Sequence, residues 1–82
     1  MSDVNENWPK KRVMVIGGDV AAIPKLQLAE KEGADTYLVD MDDNCPAASY
    51  ARHVCNIEPT NRPAIMALKE QLRIDEVIYA DD

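Results

Sequence analysis

The 82-residue sequence has few cysteines, few basic residues and no long apolar run. Two cysteines are too few for a disulfide-stapled secreted scaffold. The formal net charge of −6 disfavours nucleic acid and anionic membranes as partners, because both bind basic surfaces. No segment has the pattern of a signal peptide or enough apolar length to cross a bilayer. These absences predict a cytoplasmic protein that binds neither nucleic acid nor membrane.

What is present fits one small folded domain. Apolar residues make up 46% of the chain and charged residues 29%, as in ordinary globular domains. Residues 1 to 11 are polar and unpatterned, so we expect a flexible N-terminal arm there. The folded domain is then expected to span residues 12 to 82.

Segments of strand and helix character alternate along this domain. Short apolar or β-branched runs predict four strands, at residues 12–16, 36–39, 53–57 and 76–80. Helical spacing of apolar residues predicts three helices, within residues 20–32, 47–52 and 61–73. We expect Gly33 to end the first helix and Pro63 to lie in the first turn of the last one.

The alternation predicts the fold. Strands separated by helices form parallel sheets with right-handed crossovers, so we expect an α/β, three-layer Rossmann-like domain with a four-stranded parallel sheet in the order 3-2-1-4. In that order the helix at 61–73 covers one face alone. Since one helix does not shield four strands, we expect an apolar surface there that another domain or a second copy of the chain buries.

Ligands of open α/β sheets bind beyond the carboxyl ends of the strands, where the strand order reverses. Gly17, Gly18 and Asp19 follow the first strand, and the Asp81-Asp82 pair follows the fourth. Adjacent glycines let backbone N–H groups approach an anion closely, although the same pair can serve only as a tight turn. Asp40 ends the second strand, where a carboxylate can bind a ribose hydroxyl.

The predicted substrate- or nucleotide-binding residues are therefore Gly17, Gly18, Asp19 and Asp40. The acids at the strand ends share one rim of the predicted sheet: Asp19, Asp40, Asp42, Asp43, Asp81 and Asp82. Such a rim repels bare phosphates unless magnesium or a cationic group is present. Loop carboxylates also commonly cap helices and solvate turns, and the sequence is compatible with that simpler role.

Other catalytic and metal-binding patterns are missing. A dinucleotide-binding fingerprint needs glycine where Asp19 stands. Cys45, His53 and Cys55 match no structural zinc spacing and lack a fourth ligand, so we expect no metal site. We expect the cysteines to be small buried apolar residues. The sequence has neither a Walker loop nor a serine triad, and we expect no catalytic residue in this chain.

Several segments of the sequence follow one another in the order found in a known protein family. They are VMVIGG at 13–18, IPKLQLA at 23–29, EG at 32–33, VDMDDNCP at 39–46 and IDEVI at 74–78. The fourth looks like the family's D-x-D-x-N-x-P turn, and an alanine-rich stretch follows it at 47–51. On these segments, residues 11 to 82 resemble the N-terminal domain that precedes the ATP-grasp fold in carboxylate-amine ligases and carboxylases, such as carbamoyl phosphate synthetase and biotin carboxylase.

The resemblance implies a role in a larger enzyme. In such ligases this domain packs on the central domain and helps to hold the acceptor substrate through its glycine turn, while ATP and Mg²⁺ are bound mostly by other domains. It implies that Gly17, Gly18 and Asp40 line a substrate-side cleft and that the chain is inactive alone. Its partner would be the missing ATP-grasp domain or a partner subunit. Asp19 departs from the family, since many members have glycine there.

Two other functions fit the same residues. A nucleotide-sensing Rossmann module, like those that regulate potassium transport, would place Gly17, Asp40 and the Asp81-Asp82 end around NAD or a related nucleotide. A structural domain would instead form a homodimer through the exposed surface around the helix at 61–73 and bind no small molecule. Measurable NAD binding would favour the first alternative, and a stable dimer would favour the second.

Overall fold

The computed structural model describes residues 11–42 and 44–80. The predicted arm, apart from Lys11, and the acids Asp43, Asp81 and Asp82 lie outside the described residues. The strands are β1 (Arg12–Ile16), β2 (Asp35–Val39), β3 (His53–Cys55) and β4 (Glu76–Tyr79). The helices are α1 (Ala22–Lys31) and α2 (Arg62–Leu72), and a 3₁₀ turn covers Ala48–Tyr50.

The four strands form one parallel sheet in the order β3-β2-β1-β4, which confirms the predicted α/β fold and strand order. Strand β1 is central and pairs with β2 from Arg12 opposite Asp35 to Ile16 opposite Val39. Its other neighbour is β4, in which Tyr79 lies opposite Ile16. All four carboxyl ends therefore meet at one edge of the sheet.

Helix α1 packs on one face of this sheet. Its buried residues are Ala22, Leu26 and Ala29, and they join Val13, Val15 and Leu38 in one apolar cluster. Pro24 is tolerated because it is the third residue of the helix. The N–H groups of the first turn have no carbonyl partner within the helix, so proline loses no hydrogen bond there. Gly33 ends the helix with a φ of +84°, a backbone conformation that glycine adopts without strain.

Helix α2 covers the opposite face. The Asn61 side chain caps its first turn by accepting a hydrogen bond from the Ala64 N–H at 3.3 Å. Ile65 is buried with Met14 and Ile16 of β1 in a second apolar cluster. Leu68 and Leu72 pack against that cluster, at the spacing expected for one helical face.

Two elements are shorter than expected from the sequence. The helix predicted at 47–52 is only the three-residue 3₁₀ turn, because the backbone of Ala51 is already extended at φ −105° and ψ 151°. The third strand ends at Cys55 and not at residue 57. The Ile57 N–H donates to the Cys55 carbonyl at 2.9 Å, and this local turn leads the chain away from β2.

Apolar side chains remain accessible on the α2 face of the sheet and around α1. On the α2 face Val77 is half-buried and Tyr79 is 38% exposed, in line with the incomplete cover expected from one helix. Val20, in the turn before α1, is 67% exposed and Leu28 of α1 is 59% exposed, which the sequence reasoning did not anticipate. Neither α1 nor α2 is long and apolar enough to span a membrane, and the described ranges contain no other α-helix.

Candidate functional site

A cleft of about 390 Å³ opens at the carboxyl ends of β1, β2 and β4. Its position beside the central strand is where the order of the sheet reverses, the usual ligand position in open α/β folds. The lining residues come from the ends of β1, β2 and β4, from the segment before α2 and from the start of that helix: Ile16, Gly17, Gly18, Asp19, Asp40, Pro59, Thr60, Arg62 and Tyr79. All four residues proposed from the sequence thus lie along one cleft.

The turn after β1 is closely packed. Gly17 has a φ of +100°, and its N–H donates to the Val39 carbonyl at 2.9 Å. Gly18 is buried, and a Cβ at this position would overlap the Cys45 Sγ and approach the Asp40 Oδ2 to 2.9 Å. Both glycines are therefore needed for backbone shape and for close contact with the next turn.

Asp40 connects the turns after β1 and β2. Its Oδ2 accepts a hydrogen bond of 2.7 Å from the Gly18 N–H, and its Oδ1 accepts one of 2.9 Å from the Asp42 N–H. Its own N–H donates to the Cys55 carbonyl of β3 at 3.1 Å. One half-buried carboxylate thus fixes the position of both loops that form this side of the cleft.

The D-x-D-x-N-x-P segment has a structural explanation in these contacts. Asp40 accepts from the N–H two residues ahead, and Asp42 does the same for the Asn44 N–H at 2.9 Å. Such contacts are the Asx turns that aspartate favours in loops. The Ala47 N–H then donates to the Gly18 carbonyl at 3.1 Å, which closes the segment onto the glycine turn.

The lining residues that follow β3 and end β4 were missed by the sequence reasoning. Thr60 precedes α2, Arg62 is the first residue of that helix, and Tyr79 ends β4. The sequence did carry a signal for them. Once the strands are known to be parallel, the segment that follows the third strand belongs to the same edge as the turns that follow the first two.

Two of the residues considered for zinc, Cys45 and Cys55, pack on opposite faces of the sheet. Cys45 packs with the α1-side cluster, while Cys55 packs with the cluster on the α2 side. Burial raises the pKa of both thiols above the ordinary value, and the nearby Asp40 adds to the effect at Cys45. His53 stacks on Tyr37, with ring centroids 4.4 Å apart. Within the described residues no three potential ligands are grouped for a metal ion.

The fold has counterparts among solved structures. N5-carboxyaminoimidazole synthetase from Staphylococcus aureus matches 88% of this chain with a TM-score of 0.73 and 20% sequence identity. The same synthetase complexed with ADP matches 89% of the chain with a TM-score of 0.73 and 22% identity. No family model matches the sequence, and no curated protein matches it.

These matches confirm the fold predicted from the resemblance. At 20–22% identity they establish a shared backbone architecture and no more. The chain spans only about one fifth of the synthetase, 19% and 20% of its length in the two structures. The activity of the whole synthetase therefore enters only as a basis for the proposal that follows.

Proposed function

We propose that this chain is the N-terminal, substrate-side domain of an ATP-grasp carboxylate-amine ligase or carboxylase. The observation that carries the proposal is the match of nearly the whole chain to about one fifth of a synthetase of the ATP-grasp class. The D-x-D-x-N-x-P turn adds independent support, because its hydrogen bonds build one wall of the cleft. In this role the domain holds part of the acceptor substrate and does not catalyse the reaction alone.

The nucleotide would be bound mainly outside this domain. The matched synthetase was solved with ADP, and about four fifths of its length lies outside the match. For the parent enzyme of this chain we therefore propose ATP and Mg²⁺ as cofactors, held mostly by the remaining domains. Gly17, Gly18, Asp19 and Asp40 would line the acceptor side of the shared active site. We propose a cytoplasmic location for this enzyme.

A nucleotide-sensing module is less compatible with the contacts of Asp40. To bind a ribose hydroxyl in the usual way, this carboxylate has to face the ligand. Here both of its oxygens already accept backbone N–H groups, from Gly18 and Asp42. Redirecting it would leave those two donors without their partner, and each lost charged hydrogen bond costs about 1.5–3 kcal/mol.

The proposal is tested first by reading the coding region past the codon for Asp82. We expect an open frame several times longer than this chain, with an ATP-grasp domain after it. The full-length product should hydrolyse ATP only when its acceptor is present. Deleting residues 11–80 from that product should abolish the acceptor dependence while ADP binding, measured by calorimetry, persists.

Two results would contradict the ligase assignment and point to the alternatives. A stop codon directly after Asp82, together with NAD binding by the 82-residue chain, would favour the nucleotide-sensing module. The same stop codon with a stable dimer in analytical ultracentrifugation and no bound nucleotide would favour the structural domain. ATP hydrolysis by the isolated chain would contradict the claim that it is inactive alone.

A further inference from the structure

We infer that Arg62 recognises the anionic group of the ligand in this cleft, and that the ligand is a small molecule with one phosphate or carboxylate group and hydroxyl or amino donors elsewhere. The inference rests on the proposed function, since it concerns the same acceptor-side cleft. It assigns a binding role to the lining residues that follow β3 and end β4, which are Thr60, Arg62 and Tyr79.

The glycine turn itself is poorly suited to bind an anion. Its two glycine N–H groups donate to the Val39 carbonyl and to the Asp40 carboxylate. An anion approaching them would also meet the negative charge of Asp40 at close range. The anion-binding role that adjacent glycines suggest therefore needs another donor in this chain.

The backbone at the start of α2 offers no substitute. The Arg62 N–H donates to the Thr60 carbonyl at 2.9 Å, and the Ala64 N–H donates to the Asn61 side chain. The Ile65 N–H donates to the Asn61 carbonyl at 3.1 Å, and Pro63 has no N–H. The first turn of α2 therefore has no N–H available for an anion, and a charged contact on this side has to come from a side chain.

Arg62 provides such a side chain. It supplies the cationic group among the described residues that line the cleft, and no hydrogen bond or ion pair engages its guanidinium within the described ranges. By contrast, Arg12 donates to the Leu72 carbonyl at 2.6 Å and Arg52 pairs with Glu30 at 3.1 Å. A free guanidinium presents paired donors that match a phosphate or carboxylate bidentately.

The remaining polar groups restrict the rest of the ligand. Asp19 lines the same cleft with an exposed carboxylate that can accept hydrogen bonds, whereas the Asp40 oxygens are held by the Gly18 and Asp42 N–H groups. Asp19 attracts hydroxyl or amino groups, and the charges of both acids repel a second anion. The cleft therefore favours a ligand with a single anionic end, such as a sugar phosphate or an amino acid, over one that is anionic at both ends.

The experiment is an NMR titration of the ¹⁵N-labelled chain with ribose 5-phosphate, which carries one phosphate and several hydroxyls. Ribose and inorganic phosphate, titrated separately, distinguish the contributions of the two ends. The variant is Arg62→Gln, and the matched control is Arg73→Gln, which removes the same charge just beyond the other end of α2. Amide shifts of Gly18 and Thr60 report on the glycine turn and on the segment before α2.

We expect ribose 5-phosphate to shift both amides and Arg62→Gln to weaken its binding by about tenfold or more, the usual effect of losing a charged hydrogen bond. Arg73→Gln should leave the affinity within about twofold. Equal affinity of wild type and Arg62→Gln would overturn the role of Arg62 while the Gly18 shift still supports an acceptor-side cleft. No shift of either amide at millimolar ligand would overturn the ligand class, whereas the reading-frame test judges the ligase assignment separately.

Discussion

The two ends of the sheet use their acidic residues differently. At the amino end, carboxylates meet cations or potential cations: Asp35 lies 3.1 Å from the His53 ring nitrogen, and Glu76 lies 2.8 Å from the Lys11 ammonium. At the carboxyl end, the Asp40 carboxylate accepts backbone N–H groups, and the nearby Arg62 has no partner within the described ranges. Among the described residues, these acids of the amino end pair with cations or potential cations, whereas Arg62 at the carboxyl end stays unpaired, as our proposal for its ligand requires.

The two ends of the sheet also differ in how their polar residues contribute to stability and to ligand binding. Ion pairs at the amino end are largely exposed, so solvent screens them and each contributes little to the free energy of unfolding. At the carboxyl end, closely packed glycine and a half-buried carboxylate hold the loops in place. A cleft that must present unpaired groups to a ligand needs this kind of rigid support. Substitutions at the two ends should therefore differ in size and in their dependence on pH and salt.

The largest effect is expected from Gly18→Ala. The added Cβ would overlap the Cys45 Sγ and lie 3.0 Å from the Cys45 Cβ, so the two turns would have to separate. Overpacking of this kind costs about 1–3 kcal/mol, and we expect the upper end of that range in urea denaturation. Gly33→Ala is the matched control: its Cβ would meet nothing within 4 Å, although its φ of +84° still costs about 1 kcal/mol.

A second substitution tests whether the Cys45 sulfur causes the expected loss of stability at Gly18. Adding Cys45→Ala to Gly18→Ala removes the sulfur that the new methyl group would meet. The double variant should then regain part of the lost stability, relative to the sum of the two single changes. Strict additivity would contradict close packing of the two turns.

Asp40→Ala should have the next largest effect. It removes the acceptor of the Gly18 and Asp42 N–H groups, at about 1.5–3 kcal/mol for each hydrogen bond to a charged group, reduced where solvent replaces the carboxylate. We expect a net loss of about 2 kcal/mol in urea denaturation. Asp19→Asn, an exposed acid on the same cleft, should change stability by less than about 0.5 kcal/mol. Equal losses in the two variants would contradict the linking role of Asp40.

At the amino end, the Tyr37 hydroxyl should make the free energy of unfolding depend on pH in the alkaline range. Burial, with a smaller contribution from the Asp35 charge, raises the pKa of Tyr37 above its ordinary value near 10. The unfolded chain then loses this proton at a lower pH than the folded chain. The contribution of the protonated Tyr37 side chain to the free energy of unfolding is complete below pH 10. It is lost as the pH rises through the pKa of Tyr37 in the folded protein.

This pH dependence is measured by comparing wild type with Tyr37→Phe. The difference in phenolate absorbance between the two proteins should show a midpoint above 10 for Tyr37. Urea denaturation from pH 9 to 11 should show a steeper loss of stability in wild type than in Tyr37→Phe. The half-buried thiols Cys45 and Cys55 are common to both proteins, so their contribution largely cancels in this comparison. Parallel stability curves would contradict the expected shift.

The smallest effect is expected from Arg52→Gln. The Arg52 side chain is 53% exposed and pairs with Glu30 at 3.1 Å. Such exposed pairs contribute about 0.2–1 kcal/mol at low salt. The loss on substitution should fall further in 1 M salt, where the Debye length is about 3 Å. A salt-independent loss of 2 kcal/mol or more would contradict the view that the amino-end pairs are weak.

Much of the fold could be predicted from the sequence because local patterns and topology agree. The apolar run ending at Gly17 predicts β1, and Asn61 with Pro63 predicts the start of α2 within one residue. Parallel strands joined by helices restrict the strand order to few choices. The errors fall on short elements, such as the 3₁₀ turn at Ala48–Tyr50, where few residues define the pattern.

The candidate site was predicted only in part. Gly17, Gly18, Asp19 and Asp40 were identified because they directly follow recognisable strands. Arg62 was overlooked because one cationic residue at a helix start has no distinctive pattern. The sequence also could not show that the Asp40 oxygens bind two backbone N–H groups, since those donors belong to separate loops that only folding brings together.

The sequence alone determined the alternation of strands and helices, the parallel sheet and the acidic, glycine-bearing edge. These follow from local periodicity, from turn residues and from the handedness of crossovers, all of which act over short stretches of chain. The tertiary structure decided which polar groups at that edge are engaged and which are available. That distinction depends on distances between residues such as Gly18, Asp40 and Arg62, which are far apart along the chain and are positioned by the packing of both helices on the sheet.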